Sequence, residues 1–133
     1  MPFLSYSIYN PLMRISNEKF DEYVQQGIEA IDPEFRYHLA EVPVIVEDEP
    51  DDKVCEKMHL TDRRHLLGLF QGVSLRAKKN AHGVCSQITL YRRNILAHCH
   101  MEKELTQQIN RTIIHELGHY LGFSEQQLRR YRY

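Results

Sequence analysis

The stretch His115-Glu116-Leu117-Gly118-His119-Tyr120-Leu121-Gly122-Phe123-Ser124-Glu125 decides the architecture of this chain. Residues four apart on an α-helix lie about 40° from one another on one face, so the imidazoles of His115 and His119 can reach a single metal ion. Together they supply half of a tetrahedral site. Glu116, one position along, stands beside that ion, where a carboxylate can take a proton from a metal-activated water and pass it to a leaving amine. Three residues past His119, Gly122 can adopt the left-handed conformation that ends a helix, turning Glu125 back towards the ion. H-E-x-x-H alone is expected by chance in roughly one such sequence in twenty-five. The added glycine and carboxylate lower this to roughly a few in ten thousand, which favours the metal reading.

A third protein ligand is then Glu125, an upstream residue, or absent. Glu125 carries the only carboxylate side chain after His119 and is taken as the third ligand, leaving the fourth position for water or a substrate carbonyl, as a catalytic site requires. The plainer role for Glu125 is to cap a short terminal helix from its first turn. The pattern around the motif predicts a long helix from about Met101 to Leu121. Leu105, Ile109, Ile113, Leu117 and Leu121 form one apolar stripe on it, while Arg111, His115 and His119 follow a line roughly 160° away. One side packs on a core and the other lines a cleft. Histidines serving only as core residues would sit on the stripe, and these two do not.

Upstream, residues 1–15 hold Pro2 and Pro11 without a clear period and read as an irregular arm, with the domain proper from 16 to 133. Ser16 or Asn17 can cap an amphipathic helix in which Phe20, Val24, Ile28 and Ile31 recur at three- and four-residue steps up to Asp32-Pro33. Val42-Pro43-Val44-Ile45-Val46 reads as a strand, followed by a solvated acidic loop from Glu47 to Asp52 whose spacing fits no calcium loop. Leu66 to Phe70 and Gln87 to Arg93 are two further strand candidates, separated by a loop containing Lys78, Lys79, Asn80 and Gly83.

With 133 residues, 42% hydrophobic and 26% charged, the chain fits one domain with a single modest core. A net charge of −1 creates no field that would gather nucleic acid or an anionic membrane. Cys55, Cys85 and Cys99 are odd in number and lack C-x-x-C spacing, so reduced, mostly buried thiols are expected rather than disulfides or a thiolate zinc ribbon. The N-terminal residues lack a signal-peptide pattern and no 18-residue apolar run occurs, so a cytoplasmic location without a membrane span is expected. His98-Cys99-His100 alternates at the entrance of the long helix and is expected to serve at the surface or as a cap. His38, His59, His65 and His82 have no paired spacing and are expected to be surface or half-buried residues. An oxyanion donor could be Arg111 or Tyr131, while Tyr120 is as well suited to packing. Nothing in the composition sets an oligomeric state.

Three segments carry a likeness that extends beyond the metal motif: Val44-Ile45-Val46-Glu47-Asp48-Glu49-Pro50, Leu67-Gly68-Leu69-Phe70-Gln71-Gly72-Val73 and Ile88-Thr89-Leu90-Tyr91-Arg92-Arg93. In that order they resemble the pattern of small bacterial zincin-like metallopeptidases with a minimal, matrix-metalloprotease-like domain, from roughly Ser16 to the end. The resemblance implies an α+β zincin fold, with a small mixed sheet packed on an N-terminal helix and a long C-terminal active-site helix. It also implies one zinc ion per chain and an acidic residue where longer relatives place a third histidine. That position is Glu125 here, although Asp is more usual in the family, and the longer carboxylate needs a different approach to the ion. The methionine turn that floors the site in larger relatives has no counterpart here, so support under the metal is expected from elsewhere.

The activity so implied is that of a zinc metallopeptidase, hydrolysing peptide bonds with Glu116 as general base and acid and binding a peptide or protein substrate as an added strand at the sheet edge. A small-molecule amidase is a close rival. From a different class, the domain could be a metal-stabilised binding module without turnover, although an intact Glu116 has no purpose in a purely structural site. The arm of residues 1–15 could also block the cleft and make the enzyme latent.

Overall fold

Ser16 opens the first helix, its hydroxyl accepting the Lys19 backbone N–H at 3.1 Å. The structure, a computed structural model, describes residues 13–77 and 85–130. Helix α1 (Asn17–Glu29) buries Phe20 and Val24 on the predicted face, and Ile31 just beyond it is also buried. Pro33 then starts a short helix α2 (Pro33–Arg36), continued by a 3₁₀ turn (Tyr37–Ala40). The first strand, β1 (Val44–Glu47), begins two residues later than the sequence pattern indicated and leaves Val42 buried in the core ahead of it.

The acidic stretch runs over the surface as expected, with Glu47, Asp48, Asp51 and Asp52 exposed, although its last residue already belongs to a short helix. Asp51 caps helix α3 (Asp52–Lys57) by accepting the Val54 N–H at 2.9 Å, Asp52 pairs with Arg63 at 2.7 Å, and Asp48 pairs with Arg92 at 2.9 Å. Strand β2 (Gly68–Gln71) starts later than Leu66. Strand β3 (Gln87–Tyr91) stops at Tyr91, because Arg92 begins helix α4 (Arg92–His98) where the sequence had indicated continued strand. A 3₁₀ turn (Glu102–Glu104) leads into α5 (Leu105–Tyr120), and α6 (Glu125–Arg130) follows. The predicted arm falls outside the described residues up to position 12, as do Lys78, Lys79, Asn80, His82 and Gly83.

The sheet is mixed, with β3 at its centre, parallel to β1 and antiparallel to β2. One face of β3 presents Ile88 and Leu90 to a core built from Phe20, Val24, Ile31 and the stripe Leu105, Ile109, Ile113 and Leu117 of α5. Tyr91 packs in a smaller cluster with Leu69 and with Val54 of α3. Helices α1 and α5 approach closely at Gly27, where a Cβ would lie 3.0 Å from Ile109 Cγ2. The Asn110 amide donates to the Gly27 carbonyl at 2.8 Å and holds that contact. Ahead of β2, the buried Asn94 amide donates to the carbonyls of Arg63 and Leu66, each at 2.7 Å, and so fixes where the edge strand begins. Among the described residues no helix is long and apolar enough to cross a membrane.

The thiols divide differently from expectation: Cys99 is buried, Cys55 half-buried and Cys85 exposed. Burial, with the Glu104 charge adding to it, pushes the Cys99 thiol up to about 11. Burial and the nearby Glu47 and Asp51 charges push the Tyr91 phenol up to about 12. The fold therefore favours both groups neutral. Their contribution to stability is full below the ordinary values of 9.0 and 10.0 and is lost as pH rises through about 11 and about 12. The melting temperature should accordingly fall as pH is raised over that window, and Tyr91→Phe should flatten the upper part of the fall. An unaltered slope in Tyr91→Phe would show that the phenol has no part in it.

Candidate active site

The apolar stripe of α5 is held against the sheet, which turns the opposite line of the helix into a cleft of about 490 Å³ beside β2. His115 and His119 stand on that line with ring centroids 5.1 Å apart. Their Nε2 atoms converge on a single oxygen, Oε1 of Glu125, at 3.2 Å from His115 and 2.7 Å from His119. Glu116 turns inward from the same turn of helix and is only 8% exposed. Its Oε1 accepts the backbone N–H of Phe70 at 2.9 Å, and its Oε2 lies 4.0 Å from His115 Nε2. His115, Glu116 and His119 offer ligand atoms within 4.8 Å of one another, the one such group of three among the described residues.

Glu125 reaches the histidines because the end of α5 is built to turn. Gly122 takes φ +98°, Phe123 donates its N–H to the Gly118 carbonyl at 2.9 Å, and Gly122 donates to His119 at 3.0 Å. This is a Schellman ending, which satisfies carbonyls left over at the helix terminus. The next helix has its own cap: the Gln127 N–H donates to Ser124 Oγ at 3.2 Å, and the Ser124 N–H donates to Gln127 Oε1 at 2.8 Å. Capping thus belongs to Ser124 and not to Glu125, whose carboxylate is directed to the imidazoles. Leu128 then seats α6 on α5, directly over Gly118, where a Cβ would meet its Cδ2 at 2.5 Å.

The two carboxylates are tuned in opposite directions. Burial pushes the Glu116 carboxyl above its ordinary range, opposed by the His115 charge, the Phe70 N–H and the His119 charge, and reinforced by Glu125. Burial would also raise Glu125, but the hydrogen bonds and charges of both imidazoles outweigh it and hold that group low. A buried carboxyl raised above its ordinary range suits proton transfer, and an ionised one suits a cation.

A family model described as zincin-like metallopeptidase matches residues 39–133. The chain belongs to this family. No curated protein matches it. Membership implies a hydrolase of the metallopeptidase kind, with zinc as the cofactor and a peptide or protein as the substrate. The mixed three-stranded sheet and long C-terminal helix of this zincin-like chain agree with the α+β expectation.

The donor set fits zinc. In a tetrahedral site with bonds near 2.0–2.1 Å, ligand atoms lie roughly 3.3 Å apart, so the observed 2.7 and 3.2 Å separations need only a small opening to admit the ion.

Other residues singled out in the sequence fall elsewhere. His98 and Cys99 line a small hollow with Glu104, apart from the histidine pair. His38 is buried rather than half-buried, between the rings of Tyr37 and Tyr120, and its Nδ1 has no hydrogen-bond partner among the described residues. Tyr120 is fully buried with its hydroxyl on Glu41 at 2.9 Å, a packing role, and Tyr131 lies outside the described residues. Arg111 does line the cleft. Two contributors escaped sequence reading. The Ser124 and Gln127 box was visible as S-x-x-Q, whereas the Phe70 N–H carries no side-chain signature.

Proposed function

We propose that the chain is a zinc-dependent peptidase in which His115, His119 and Glu125 hold the metal and Glu116 moves the proton. The observation that carries this reading is the convergence of both imidazole Nε2 atoms on Glu125 Oε1 beside a buried, separately anchored Glu116. Zinc held there supplies Lewis acidity, polarising a scissile carbonyl and easing deprotonation of water. With Oε1 of Glu116 tied to Phe70, Oε2 is the oxygen that faces the imidazoles and takes the proton of the attacking water. As the new C–O bond forms and the C–N bond breaks, the same oxygen returns the proton to the departing amine.

The edge of β2 supports an extended peptide as substrate. Leu67 directs its carbonyl inward to the Tyr91 N–H at 2.9 Å, whereas Phe70 directs its N–H outward to Glu116. Backbone groups alternate along a strand, so Gly68 and Phe70 present theirs to the cleft and Gly68 is free to pair with an incoming strand. A cleft flanked by a strand edge favours a peptide over a compact amide.

Elemental analysis of purified protein tests the ligand set. About one zinc per chain is expected in wild type, with loss in His115→Ala and His119→Ala and a weaker hold in Glu125→Ala. Absence of metal from wild type after zinc reconstitution would overturn the assignment. Unchanged zinc affinity in Glu125→Ala would remove Glu125 from the ligand set and return it to a terminal role on α6.

A further inference from the structure

We infer that Arg111 selects substrates that carry a carboxylate on the first residue after the scissile bond. This rests on the peptidase reading above and names the substrate class for the same cleft. Arg111 stands one helical turn before His115, about 6 Å along the axis. It lines the cleft together with Met58, Leu66, Leu67 and Gln108. Arg63, Arg64 and Arg92 are each tied to an aspartate, but Arg111 has no hydrogen-bond or ion-pair partner among the described residues. Glu104 shares a neighbouring hollow with it, yet its Oε2 accepts the His100 N–H at 3.4 Å. The remaining ionisable groups of the cleft, His115, Glu116, His119 and Glu125, are committed to the metal and the proton. Arg111 is therefore the charge left over for the substrate.

The direction of the bound chain follows from the walls. Gly68 lies against Thr112 and Glu116, while Phe70 lies against Glu116 and the Tyr120 ring, so β2 and α5 run in the same sense. A peptide added to β2 in the antiparallel sense, the more stable pairing, then runs from the His119 end towards Arg111. Its residues after the scissile bond pass between Leu66 and Leu67 on one side and Gln108 and Arg111 on the other. Apolar walls at Met58, Leu66 and Leu67 beside one guanidinium fit a short aliphatic stem ending in a carboxylate, which arginine can grip at two oxygens. That carboxylate can be the side chain of Asp or Glu, or the chain terminus of the departing residue.

The test uses full-length, zinc-loaded protein and matched peptides with Asp, Glu, Asn, Gln, Leu or Lys after the scissile bond, each with a free or amidated C-terminus. Cleavage is read by mass spectrometry. Peptide binding is read by fluorescence anisotropy on the Glu116→Gln protein, with and without Arg111→Glu. Wild type should prefer Asp over Asn, or a free terminus over an amide, by roughly 10- to 100-fold in kcat/KM. Arg111→Ala should abolish that ratio, and Arg111→Glu should reverse it in favour of Lys. A ratio that depends on the side chain assigns the carboxylate to Asp or Glu, and one that depends on amidation assigns it to the terminus. Cleavage with no acidic preference, with preference before the bond, or with a ratio unmoved by Arg111→Glu would overturn the inference and leave the peptidase reading standing. Neither cleavage nor binding of any peptide by zinc-loaded protein would overturn both.

Discussion

Glu116→Gln is expected to slow peptide hydrolysis by about 10²- to 10⁴-fold while zinc stays bound at wild-type level. The substitution keeps the shape of the side chain and an oxygen able to accept the Phe70 N–H, so the edge strand and α5 should remain in register. What it removes is a basic oxygen facing His115 Nε2, the atom to which the proton of the attacking water is assigned. The measurement pairs zinc content with turnover on the best cleaved peptide. Undiminished turnover would place the base elsewhere. Loss of zinc with loss of turnover would instead make Glu116 a ligand, the alternative left open by its lying within 4.8 Å of both imidazoles.

Gly68→Ala should destabilise the protein by about 1–3 kcal/mol and lower hydrolysis with it. A Cβ at position 68 would stand 2.6 Å from Thr112 Cγ2 and 3.2 Å from the Thr89 carbonyl oxygen, with Glu116 Cγ next at 3.6 Å. Thr112 is buried and cannot swing away cheaply, because its hydroxyl donates to the Gln108 carbonyl at 2.8 Å. Relief must come from β2 moving off α5, which draws the Phe70 N–H away from Glu116 Oε1. Thr112→Ser removes the clashing methyl and keeps the hydroxyl, so the double variant should recover most of the loss seen with Gly68→Ala. Urea unfolding of the four proteins in the cycle measures this coupling. Additive losses in the cycle would show that the clash is relieved without moving the strand.

The helix carrying the metal motif was legible because its information is local. Spacing of four residues puts His115 and His119 on one face, the stripe Leu105, Ile109, Ile113 and Leu117 marks the opposite one, and Gly122 marks the turn between α5 and α6. Helix α1 was legible for the same reason, with a capping serine and a 3.6-residue period. Strand limits were less legible. Residues 92–98 carry no turn signal after β3, so the change from strand to helix at Arg92 depends on Asp48 gripping that arginine and on Ile95 finding the core. The acids from Glu47 to Asp52 are mostly exposed as read, but the pairing of Asp52 with Arg63 and of Asp48 with Arg92 was not legible, because those partners lie 11 and 44 residues away.

By itself, then, the sequence determined the helix, its cleft-facing line and the three residues His115, Glu116 and His119 that share it, since all of these follow from helical periodicity. Tertiary structure decided three further features. Among the roles the sequence left open for Glu125, the folded turn brings its carboxylate onto both imidazoles. The absence of a side chain at Gly68 brought a backbone N–H of β2 onto Glu116. The packing of β2 beside α5 put Arg111 in the wall of the same cleft. The last two depend on contacts between segments distant in the chain, where no spacing rule relates one residue to another and only packing fixes which groups meet.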